Sequence, residues 1–155
     1  MMNHEDIDTL ASLLEGTKHA VSRLSNAAAF INGCLDDVCW VGFYLCDESG
    51  DLYLGPFQGK PACIQIKRGR GVCGTALAEN RTVIVPDVRE FPGYISCDAA
   101  AMSEVVIPMH DGNGNVIAVL DIDSSTAGRF TQDGSAGQEI NILEEIAELI
   151  LEESE

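Results

Sequence analysis

At 155 residues, with 46% hydrophobic and 22% charged side chains, the chain suits one domain around a single hydrophobic core and falls outside the disordered range. A formal net charge of −16 argues against nucleic acid and anionic membranes as partners, because both bind positive surfaces. No apolar run approaches the ~20 residues that span a bilayer, and the acidic start is unlike a secretory signal, so a soluble, cytoplasmic protein is expected.

Leu10, Leu14, Val21, Leu24, Ala28 and Ile31 recur at helical spacing, which predicts one amphipathic helix over residues 7–31. Gly33 is placed to end it in the left-handed conformation. Residues 38–45 are rich in β-branched and aromatic side chains and read as a strand, 47–50 as a hairpin loop and 51–57 as the returning strand. A third short strand is expected over 62–66. The loop Arg68-Gly-Arg-Gly71 leads into a short helix over 72–79, and strands follow at 82–85, 105–109 and 116–122. Asp111-Gly-Asn-Gly-Asn115 is a strong turn signal between the last two. Ile140, Leu143, Ala147, Ile150 and Leu151 make a closing helix. With no internal repeat or linker, the sequence reads as a single α+β domain over 1–155, a central antiparallel sheet carrying the N- and C-terminal helices on one face.

Charge and cysteines are unevenly placed. Six of the nine lysines and arginines fall between Lys60 and Arg89, whereas residues 139–155 hold seven glutamates, which read as a solvated tail. Six cysteines are many for a chain expected in a reducing compartment, where a thiol is a buried hydrophobe, a metal ligand or a redox centre. Cys34, Cys39 and Cys46 lie in or beside apolar sequence and read as core or strand fillers. Cys63 and Cys73 flank Lys67, Arg68 and Arg70, and nearby cations favour the reactive thiolate. Cys97 sits in a polar segment of small residues; with Ser96 as a cap it would lie near a helical N-terminus, which also favours thiolate. Zinc is disfavoured, since there is no C-x-x-C pair and none of His4, His19 and His110 stands at ligand spacing from a cysteine. The Arg68–Gly74 stretch lacks the spacing of a phosphate loop or a dinucleotide fingerprint.

Asp121 and Asp123, two apart in a strand, share a face beside Val119, while Leu120 and Ile122 face the other way. Two carboxylates there cost desolvation unless solvent, an arginine, a metal or an ammonium ligand answers them. Glu104 is placed to join them from the neighbouring strand. Three carboxylates around one pocket would suit a cationic amino group, or keep one carboxyl protonated as an acid. Trp40 and Tyr44 also share a face; such a wall is usually core, but beside carboxylates and a thiol it would cradle a thioether methyl.

Together, Trp40-Val-Gly-Phe-Tyr44, Leu54-Gly-Pro-Phe-Gln-Gly-Lys-Pro-Ala-Cys63, Gly69-Arg-Gly-Val-Cys-Gly-Thr75, Cys97-Asp-Ala-Ala100, Ser103-Glu104 and Val119-Leu-Asp-Ile-Asp-Ser124 resemble the free methionine-(R)-sulfoxide reductases, which are built on a GAF domain. The resemblance covers residues 40–130. It implies reduction of free methionine (R)-sulfoxide with Cys97 as nucleophile, Cys63 as the main resolving partner and Cys73 as a third redox cysteine. It further implies that Trp40 and Tyr44 surround the substrate methyl, and that Glu104, Asp121 and Asp123 handle its amino group and sulfoxide oxygen. A homodimer recycled by thioredoxin, with no cofactor or metal beyond the cysteines, goes with it. Met102 stands where a polar residue is expected. The alternatives are a non-catalytic GAF module for a small ligand and a general thiol or peroxide sensor.

Overall fold

The computed structural model describes residues 1–152 and Ser154. The Asn3 side chain accepts the Glu5 amide while Asp6 accepts the Asn3 amide, a capping box that opens α1 (His4–Leu14). The helix does not run on to residue 31. Gly16 adopts φ +90°, a conformation open to glycine, and the chain restarts as α2 (Ala20–Cys34). Leu10 and Leu14 of α1 and Leu24, Ala28 and Ile31 of α2 share one core, but Val21, counted in the same apolar period, lies past the break and is 68% exposed. Arg23 supports the break, donating to the carbonyls of Leu14 and Thr17 and, from its other nitrogens, to those of Leu149 and Ile150. Gly33 lies inside α2 and does not end it: the chain leaves extended at Leu35, which is buried, and the left-handed residue is Asp37 (φ 57°).

Six strands follow, β1 (Trp40–Cys46), β2 (Leu52–Gln58), β3 (Gln65–Ile66), β4 (Val83–Val85), β5 (Ser103–His110) and β6 (Val116–Ser124), with α3 (Gly71–Glu79) between β3 and β4 and α4 (Gly134–Ile150) at the end. They form one antiparallel sheet in the order β3-β2-β1-β6-β5-β4. The α+β class and the helices on one face hold. β3 is shorter than expected; ahead of it the Cys63 carbonyl accepts the Tyr44 hydroxyl at 2.9 Å and the Ile64 carbonyl accepts the Leu54 amide.

The period-2 alternation sorts the sheet into two cores. Val41, Phe43, Val105, Ile107, Met109, Leu120 and Ile122 face α1, α2 and α4. Trp40, Tyr44, Val106 and Val119 face the other way, against α3. The α4 glutamates are not simply a solvated tail. Glu139 is buried, accepting from Arg129 Nη2 at 2.7 Å and from the Met2 amide at 3.0 Å, while Glu144 accepts the Thr82 hydroxyl and Glu148 meets His110. Glu153 and Glu155 lie outside the described residues. Among the described residues no helix is long and apolar enough to cross a membrane.

Candidate active site

The α3 face of the sheet carries, at the C-terminal end of β6, the acidic cluster expected from the alternation. Asp123 is the cross-strand partner of both Trp40 on β1 and Glu104 on β5, and Asp121 is that of Gly42 and Val106. Three carboxyl groups are thus held side by side by the ladder itself, at 5%, 6% and 7% exposure for Glu104, Asp121 and Asp123.

Gly42 explains how Trp40 fits beside them. A Cβ at position 42 would collide with Phe57 Cβ and lie 2.6 Å from Trp40 Cη2. The indole therefore folds flat over the glycine, stacked between Phe57 (centroids 5.2 Å apart) and Tyr44 (6.0 Å), and its Nε1 donates to the Lys60 carbonyl at 3.1 Å.

Cys63, on the β2–β3 connection, and Cys97, on the loop before β5, are joined by a disulfide with Cα atoms 5.3 Å apart. The expected cap at Ser96 is absent. Residues 97–100 form a bend and a turn rather than a helix, and Asp98 accepts the Ala100 amide instead. Cys73 stays a free thiol in the first turn of α3. Its sulfur and one carboxylate oxygen each of Glu104 and Asp121 lie within 4.8 Å of one another. Cys73, Tyr94, Cys97, Glu104, Asp121 and Asp123 line a cavity with about 20 Å³ of open space, room for one water-sized occupant. Trp40 and Tyr44 are buried beside the carboxyl cluster but do not line this cavity in the disulfide form.

Burial governs the electrostatics. Glu104 and Asp123 are pushed well above the usual carboxylate range, first by desolvation and then by the Asp121 charge. Desolvation also raises Asp121, but hydrogen bonding from Glu104 and Cys73 opposes it. Glu104 and Asp123 are thus pushed furthest toward the protonated form, and Asp121 least. Cys73 departs from expectation. Lys67, Arg68 and Arg70 are exposed, whereas the thiol is buried against Asp121 and Glu104, so its pKa is raised well above normal instead of lowered. Burial raises Cys34 and Cys46, and takes Cys39 up to about 11 with help from Asp123 and Asp98.

All eight residues singled out in the sequence thus gather at one end of the α3 face. Phe57 and Tyr94 were missed. Tyr94 lies three residues before Cys97 and could have been found as an aromatic on the same loop; the β2 register that seats Phe57 against Trp40 leaves no such mark in the sequence.

A GAF domain model matches residues 14–151. The free methionine-R-sulfoxide reductase of Escherichia coli is 47% identical over 126 residues, covering 81% of this chain and 75% of that protein. The chain belongs to the GAF-domain free methionine-R-sulfoxide reductase family. The reductase of the same name from Saccharomyces cerevisiae is 40% identical over 144 residues, covering 89% of this chain and 77% of that one. Among solved structures, the Neisseria meningitidis free methionine-R-sulfoxide reductase in complex with its substrate superposes with a TM-score of 0.86 at 35% identity, covering 99% of this chain and 94% of that one. The reduced fRMsr of Staphylococcus aureus gives a TM-score of 0.84 at 44% identity, covering 95% and 93%.

Proposed function

We propose that this protein reduces free methionine (R)-sulfoxide to methionine, with Cys97 as nucleophile and Cys63 as resolving thiol. The observation that carries the reading is the Cys63–Cys97 bridge, whose Cys97 lines one cavity together with the buried carboxyl groups of Glu104, Asp121 and Asp123. The family membership supports it.

In the reduced protein the Cys97 thiolate attacks the sulfoxide sulfur while Glu104 donates a proton to the sulfoxide oxygen. The oxygen passes to Cys97 as a sulfenic acid and methionine leaves. Cys63 attacks that sulfur, forming the disulfide and releasing water, so that sulfoxide and two thiols become methionine, disulfide and water. Asp121 and Asp123 have buried oxygens without a hydrogen-bond partner among the described residues, and the substrate ammonium would answer them. A peptide-bound methionine sulfoxide lacks that ammonium, which accounts for a preference for the free amino acid. The closed cavity is far too small for the substrate, so the 94–98 segment must swing outward when the disulfide opens. Trp40 and Tyr44 then become the wall for the substrate methyl, with Cys73 as a reserve partner for Cys97.

An external dithiol, thioredoxin in this reading, reopens the bridge. Ile64, 78% exposed next to Cys63, and the exposed Lys60, Lys67, Arg68 and Arg70 frame its approach. A cytoplasmic homodimer that needs no other cofactor completes the proposal. The test is stereoresolved turnover of free methionine sulfoxide with dithiothreitol. Wild type should consume the R form and lose two thiols per chain; an equally active Cys97→Ser protein would overturn the assignment. Thiol loss to peroxide without methionine release would favour a redox sensor.

A further inference from the structure

Cys73 takes no part in the disulfide, and it brings sulfur into a cluster that otherwise offers only oxygen. Three structural elements converge here, with Cys73 from α3, Glu104 from β5 and Asp121 from β6 placing one donor atom each within 4.8 Å of one another. Asp123 stands next to them. Its Oδ1 and that of Asp121 are shut away from water without a hydrogen-bond partner among the described residues, and both residues are more than nine-tenths buried while lining the cavity. None of the three carboxylates forms an ion pair with a described cation; the arginine at the rim, Arg70, has an exposed side chain. The open space is the size of one ion or one water.

A thiolate with two carboxylates is a mixed soft and hard donor set. It suits zinc(II) or cobalt(II), which accept sulfur and oxygen in four-coordinate geometry, and does not suit magnesium or calcium, which take oxygen alone. Bonds of about 2.0–2.3 Å place tetrahedral ligands roughly 3–4 Å apart, so the donors have to close in by about 1 Å, within the reach of side-chain rotation at Cys73 and Glu104.

We propose that Cys73, Glu104 and Asp121 form a zinc(II) site in the floor of the cavity, with Asp123 adjoining as a further carboxylate. On binding, the Cys73 proton leaves to solvent. Because Cys73 lies outside the Cys63–Cys97 bridge, the site exists in both redox states. A filled site occupies the place of the substrate ammonium and sulfoxide oxygen, and zinc therefore inhibits turnover by competition; this inhibition, unlike the metal binding, rests on the reductase reading.

Cobalt(II) serves as the spectroscopic probe, added to disulfide-form protein carrying Cys34→Ser, Cys39→Ser and Cys46→Ser, so that Cys73 is the one free thiol. One cobalt per chain is expected, with a sulfur-to-cobalt charge-transfer band and the visible bands of four-coordinate cobalt, all removed by one equivalent of zinc. Cys73→Ala in this background should abolish the sulfur band, and Asp121→Asn should weaken binding by about tenfold or more. No sulfur band in the parent protein, or a band that survives in Cys73→Ala, overturns the site. Turnover assayed with a chelator present separates the two proposals. Full activity without a cobalt spectrum removes only the metal site, and a cobalt spectrum without sulfoxide turnover removes only the reductase reading.

Discussion

The Tyr44 hydroxyl donates to the Cys63 carbonyl at 2.9 Å, so the aromatic that walls the carboxyl cluster also holds the backbone of one disulfide cysteine. One side chain thus links the carboxyl cluster to the proposed resolving cysteine.

Tyr44→Phe should therefore separate the two half-reactions. The hydroxyl is worth about 1 kcal/mol of stability. Methionine release in a single turnover should change little, while closure of the disulfide slows. Rapid quench with sulfenic-acid trapping measures both; equal slowing of the two steps would contradict this role.

Removing the proposed resolving thiol should leave the oxygen on Cys97. Cys63→Ser is expected to release one methionine per chain and then stall as a trappable sulfenic acid, or as a Cys73–Cys97 bridge. Cys73→Ser should still lose two thiols per turnover through Cys63 and Cys97. Peptide mapping of the oxidised proteins distinguishes these outcomes.

Glu104 must carry a proton to act as the acid, and burial together with Asp121 and Asp123 raises its pKa. The contribution of the acid should thus be complete below that raised value and be lost as pH rises through it, giving the profile a falling alkaline limb. Glu104→Gln should lower kcat by about 10²–10⁴-fold and abolish that limb of the profile, measured with a chelator present.

Asp123 links the same electrostatics to stability. Its folded pKa is raised by burial and by Asp121, so the native protein holds a proton that the unfolded chain releases above the ordinary carboxylate range. That contribution is complete at acid pH and is lost as pH climbs toward the raised value. Asp123→Asn should accordingly melt higher than wild type at pH 8, by roughly 2–4 °C for each kcal/mol regained, with the difference vanishing near pH 4. Its turnover should fall. Thermal melts across pH test the crossover.

Arg23 should matter for folding and not for chemistry. Its guanidinium serves carbonyls at the ends of α1 and α4, and Arg23→Ala removes that donor from Leu14 and Ile150, while the Leu149 carbonyl keeps the Glu152 amide. A loss of about 3 kcal/mol in urea unfolding is expected, with kcat unchanged in the cold.

The sequence showed most clearly what strand alternation controls. Two-residue spacing placed Asp121 and Asp123 together and opposed them to Leu120 and Ile122, and the same rule joined Trp40 to Tyr44. Features that depend on distant partners were hidden. The break between α1 and α2 was masked because Val21 continues the apolar spacing in the sequence, although it points to solvent, while Arg23 meets the carbonyls of Leu14 and Thr17 at the break. The basic residues around Cys73 suggested a thiolate, but their charges point to solvent while the sulfur points to Glu104 and Asp121. The partnership of Cys63 with Cys97 came from family resemblance, since nothing in their spacing selects it. Glu139 resembled any other glutamate of an acidic tail until Arg129 and the Met2 amide enclosed it.

The Cys63–Cys97 bridge spans 34 positions that contain β3, α3 and β4. In the unfolded chain that closed ring restricts the conformations open to a fifth of the molecule, a constraint worth about 4 kcal/mol on the chain-entropy model. The oxidised protein is thus the sturdier one, and the reduced protein, the one that must admit an amino acid, is the more pliant around the pocket. Each round of oxidation and reduction alternately staples and releases the wall that the next substrate has to pass.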